Sequence, residues 1–70
     1  MDIIDLRLRS AEKLAEDYAR SRNMLTRPVS TAAAIRALRT ISPALAQTDR
    51  ELRDIVAAAA VRHGHVVDFD

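Results

Sequence analysis

The chain has no cysteine, which excludes disulfide bridges and thiolate zinc sites. Its aromatics are Tyr18 and Phe69 alone, so it lacks the stacking platforms that single-stranded nucleic acid requires. Gly64 is the sole glycine, and a glycine-rich phosphate loop cannot be built from one. The longest apolar run, Ile55 to Val61, is seven residues, against the roughly 20 that cross a bilayer. The opening Met-Asp-Ile-Ile-Asp-Leu-Arg carries two acids where a secretory leader needs a basic stretch, so a cytoplasmic protein is expected. Acids are also missing from the middle: none lies between Tyr18 and Thr48.

That middle holds Arg20, Arg22, Arg27, Arg36 and Arg39. Five acids against three bases on either side give the segments 1–17, 18–48 and 49–70 charges of −2, +5 and −2. A coherent basic surface favours an anionic partner, nucleic acid or an acidic protein face. Ten arginines against one lysine suit bidentate anion binding, although a GC-rich coding sequence produces the same bias.

Abundant alanine with almost no glycine or aromatic is the composition of a helical protein. Seventy residues make one domain, 1–70, near the lower limit for a core without staples. Ile4, Leu8, Ala11, Leu14, Ala15 and Tyr18 share one face of a first helix over about 2–23, which Leu25 would extend. Asp2 suits its N-cap, and Asp5–Arg9 and Glu16–Arg20 are acid-first pairs four residues apart. Pro28 interrupts. Ser30 or Thr31 can cap a second helix over 31–41, with Ala34, Ile35, Leu38 and Ile41 on one face and Arg36 and Arg39 opposite. Ser42-Pro43 stops it, and Ala44 to Ala46 form a further turn or a bridge.

Thr48-Asp-Arg-Glu51 matches a capping box, and Gly64 stands where a left-handed C-cap belongs. The third helix therefore runs over about 49–63, with Leu52, Ile55, Val56 and Ala59 as its core stripe. The expected architecture is all-α, a small three-helix bundle or orthogonal array with an extended C-terminal tail. The β-branched, alternating tail must pair with another chain or the N-terminus if it is a strand, or else lay Phe69 onto the bundle.

Several constellations have two readings. Ala57, Ala58 and Val61 make the third helix apolar nearly all round, so it is either central to the monomer or meets a second copy. Arg7 lies within the first helix's apolar stripe, where it snorkels or pairs with an acid such as Asp68 or Asp70, in this chain or a partner. His63, His65, Asp68 and Asp70 have the atom types of a transition-metal site, but a histidine at a helix C-terminus and solvated tail acids explain them, so no metal is expected.

Catalysis lacks components: no cysteine nucleophile, no Ser-His-Asp grouping of plausible geometry, and carboxylates accounted for by helix faces. No enzymatic activity and no cofactor are expected. A helix-turn-helix is disfavoured by the long Ile41–Gln47 connection and by Asp49 and Glu51 in the would-be recognition turn. The expectation is a helical protein-interaction or regulatory module whose partner is another protein or itself. The alternative is a nucleic-acid-associated regulator using Arg20, Arg22, Arg27, Arg36 and Arg39.

Overall fold

Alanines at every fourth position decide which face of the first helix is buried. A computed structural model describes residues 3–22 and 28–70, with the side chains of the first helix given from residue 9 onward. Helix α1 spans Ile3–Ser21. Ala11, Ala15 and Ala19 are buried along it, with Leu14 and Tyr18 half-buried beside them, because residues four apart lie one above another on a helix. It closes at Ser21, short of the expected 23, where Ser21 Oγ donates to the Tyr18 carbonyl at 2.7 Å. Asp2, Leu25 and Arg27, and the side chains of Ile4, Asp5, Arg7 and Leu8, lie outside the described residues.

After Pro28 the chain is extended through β1, Val29–Ser30, and enters α2, Thr31–Ile41. Ser30 is the N-cap, its Oγ accepting from the Ala33 amide at 3.1 Å. Thr31, Ala34 and Leu38 are the buried residues of α2. Ile35 is half-buried, and Ile41, expected on the core face, is 66% exposed. It occupies the helix's last position, one turn beyond Leu38, the last buried residue of α2.

Helix α3, Asp49–Arg62, begins with the expected capping box: Thr48 Oγ1 accepts from the Glu51 amide at 3.2 Å and Glu51 Oε1 from the Thr48 amide at 2.9 Å. Leu52, Val56, Ala59 and Ala60 are buried and Ile55 half-buried. Its end is a Schellman motif. The His65 amide donates to the Ala60 carbonyl at 2.9 Å and the Gly64 amide to Val61 at 3.0 Å, with Gly64 at φ 79°. That left-handed conformation is costly for a residue with a Cβ.

The tail partner lies within the chain. Strand β2, Val67–Asp68, pairs parallel with β1, Val29 opposite Val67 and Ser30 opposite Asp68. Parallel strands need a long crossover, and α2 and α3 supply it. Val29 is buried and Val67 packs against the core, whereas Phe69 is 61% exposed. The expectation that the aromatic closes the core is therefore corrected: Val67 does so. Asp70, hydrogen-bonded at the head of α2, anchors the chain just past Phe69 and leaves the ring outside.

The result is a three-helix bundle with a two-stranded parallel ribbon, in which α1 packs chiefly on α3 and α2 on α3. Among the described residues, no helix is long and apolar enough to cross a membrane. Among the described residues Leu38 and Leu52 are the largest fully buried side chains. Replacing either by alanine should cost about 2–5 kcal/mol through lost burial and a cavity. Phe69→Ala should change stability by less than about 0.5 kcal/mol. Urea unfolding followed by helical circular dichroism checks both, and a Phe69 effect as large as a leucine effect would contradict the exposed ring.

Candidate anion-binding cleft

Between the first turns of α2 and α3 lies an open cleft of about 490 Å³. Ala32 and Ile35 form part of its wall, and Arg36, Arg50 and Arg53 bring three guanidinium groups to it. Helix periodicity explains the grouping. Arg36 is four residues after Ala32, and Arg50 and Arg53 are three apart on α3, Arg50 exposed and Arg53 half-buried beside the stripe of Leu52 and Val56. Among the described residues, none of these three arginines has an ion-pair partner.

The cleft also contains two acids, and both are engaged by groups other than these three arginines. Asp49 Oδ1 accepts from Arg39 Nε at 3.0 Å and Arg39 Nη2 at 2.7 Å, while the same Nη2 donates to the Gln47 carbonyl at 2.9 Å. This ties α2 to the start of α3. The Asp70 carboxylate sits at the head of α2, where Oδ2 accepts from Ser30 Oγ at 2.6 Å and Oδ1 from the Ala32 amide at 3.1 Å, with Thr31 Oγ1 at 3.4 Å from Oδ1. The Ser30 hydroxyl and then the Ala32 amide stabilise the charged form and hold the Asp70 carboxyl below its ordinary value.

Three of the five arginines of the middle segment have partners within the chain. Arg20 pairs with Asp17 on its own helix, and Arg22 lies over the Tyr18 ring at 5.9 Å. Arg27 lies outside the described residues. Arg39 pairs with Asp49, which leaves Arg36 exposed in the cleft. Arg50 and Arg53, which stand among acids in the sequence, line the same cleft. Their signal was the three-residue spacing beside the Leu52 stripe, together with a capping box that already assigns Glu51 a partner.

Of the other candidates, Ala57 is half-buried while Ala58 and Val61 are exposed, so part of the back of α3 has no cover from this chain. The Arg7 side chain lies outside the described residues. The histidines serve the fold. His63 Nε2 donates to Glu16 Oε1 at 2.6 Å, and His65 Nε2 donates to the Ala19 carbonyl at 2.8 Å. Glu16 Oε2 also accepts from Arg62 at 2.7 Å, so one carboxylate joins α1 to the end of α3. The Arg62 hydrogen bond, then that of His63, holds Glu16 below its usual range. Among the described residues no group of three or more ligating side chains converges on a metal position.

No protein-family model matches this sequence, and neither a curated protein nor a solved structure does.

Glu16, Glu51 and Asp70 all have carboxyls held below their ordinary values of 4.5, 4.5 and 3.8, Glu51 chiefly by the Thr48 amide. The unfolded chain takes up these protons at the ordinary values and the native chain only at lower pH. Their stabilisation is therefore complete above those values and lost as pH falls through the native ones. Thermal melts should show a falling Tm between about pH 5 and pH 3, and Asp70→Asn should flatten that slope. A Tm that rises on acidification would contradict the arrangement.

Proposed function

We propose that the protein is a non-catalytic cytoplasmic interaction module that receives an acidic partner in the cleft between α2 and α3. One observation carries this reading: Arg36, Arg50 and Arg53 line one cleft without ion-pair partners among the described residues. Unmatched guanidinium groups on two rigid helices are pre-organised for bidentate contact with carboxylates, which lowers the entropic cost of binding. A protein partner suits the cleft better than nucleic acid. Asp49 and Asp70 interrupt the cations and would repel a continuous phosphate chain, and no aromatic lines the cleft to stack a base.

A labelled acidic peptide should bind in a polarisation titration and weaken with added salt. Because exposed ion pairs are worth about 0.2–1 kcal/mol each, Arg36→Ala, Arg50→Ala and Arg53→Ala should each weaken binding by about 1.5- to 5-fold, and the triple variant by more than any single one. Tighter binding of duplex DNA through the same residues would favour the nucleic-acid alternative. Affinity indifferent to all three arginines would reject the cleft.

Self-association is a second reading, and a different observation favours it: Ala58 is exposed and Val61 is 66% exposed on α3. A second copy packed there would bury a small-residue face at close approach. Light scattering should then give a mass above one chain, and Val61→Glu should return it to one. A single-chain mass for the unaltered protein at high concentration rejects this reading.

A further inference from the structure

Asp70 holds the place in the cleft that an incoming acid would take. Its carboxylate accepts from the Ser30 hydroxyl at 2.6 Å and from the Ala32 amide at 3.1 Å, across about half the chain, at the first turn of a helix, where a negative charge is stabilised. Yet it forms no ion pair with the three guanidinium groups lining the same cleft. The internal acid satisfies the backbone and hydroxyl donors and leaves the stronger cations unmatched.

We infer that Asp70 is a resident competitor, and that the partner is an acidic peptide segment with several carboxylates, one replacing Asp70 at the head of α2 while others reach Arg36, Arg50 and Arg53. The inference rests on the cleft being the partner site. A single carboxylate offers nothing that Asp70 lacks, and Asp70 competes from within the chain at an effective concentration on the order of millimolar. A segment with spaced acids adds guanidinium contacts that Asp70 does not make, so it displaces the tail where a lone acid does not. Release of Asp70 removes the anchor beyond β2, and the Val29–Val67 pairing is then held at one end only.

The test uses an octaglutamate peptide and free acetate on the full chain. Addition of octaglutamate should shift the Ala32 amide resonance and speed hydrogen exchange in the β1–β2 ribbon, while acetate at equal carboxylate concentration should do neither. Asp70→Asn should bind octaglutamate about tenfold more tightly, as expected when an intramolecular competitor loses its charge. If the variant does not fold, the Ala32 shift and ribbon exchange of the unaltered protein decide the matter. Octaglutamate binding that depends on the three arginines but leaves Ala32, ribbon exchange and the Asp70→Asn affinity unchanged would overturn the competitor role and leave the cleft standing. Absence of octaglutamate binding to both proteins overturns the cleft and the competitor together, and equal displacement by acetate overturns the requirement for several carboxylates. Displacement of Asp70 by duplex DNA in preference to octaglutamate overturns the peptide as partner class.

Discussion

The contact between the alanine face of α1 and α3 governs the rest of the structure. Ala11, Ala15 and Ala19 on one helix and Ala59 and Ala60 on the other are buried, and Leu38, Leu52, Val29 and Val56 are the larger buried apolar side chains. Small side chains let helices approach closely, but each buried methyl contributes only about 0.8 kcal/mol against about 1.5–3 for a leucine or valine. A core of this kind gains less per residue than the conformational entropy lost on folding demands. Elements that would be incidental in a larger domain become necessary here. The capping box of α3, the Schellman turn at Gly64, the Glu16 link to Arg62 and His63, and the β1–β2 ribbon each tie down an end that packing alone holds weakly.

Those ties also determine the charge of the cleft. Glu51 is used to cap α3, Asp49 to hold Arg39, and Asp70 to cap α2. Each is an acid from the flank of the sequence, and each is engaged for a structural reason. Among the described residues Arg36, Arg50 and Arg53 have no ion pair, and the two acids that share their cleft, Asp49 and Asp70, have other partners. The proposed binding surface is thus a by-product of how the helices are capped, which is why it includes two arginines from a segment whose net charge is negative.

Legibility in the sequence follows the range of the interaction. Thr48 and Glu51 are three residues apart, and Gly64 lies just past the last turn of α3, so both ends of α3 could be read from local spacing. The same holds for Ser30 as a cap and for the alternation of Arg36 with Leu38. The ribbon and the cleft were not legible in that way. Ser30 and Asp70 are separated by 40 positions, and nothing local to Val29–Ser30 announces a partner so distant. Ile41 and Phe69 illustrate a second limit. Their residue type suits a core, but Ile41 is the last residue of α2 and Phe69 lies just past β2, and both side chains are exposed. A count of charge along the chain does not show these pairings: Arg20 and Arg22 find partners on α1, whereas Arg39 reaches Asp49 at the start of α3.

Val67 closes the core and Asp70, three residues on, caps α2 in the cleft, so one short tail serves both the fold and the proposed site. If a ligand removes Asp70 from α2, it also removes support from the Val29–Val67 contact, and part of its binding free energy is spent on a looser native state. Affinity and stability are then linked with opposite sign at the tail: a change that holds β2 more firmly to β1 stabilises the fold and weakens the ligand, and a change that loosens it does the reverse. This favours a partner that gains most of its affinity from the guanidinium groups and disturbs the ribbon least.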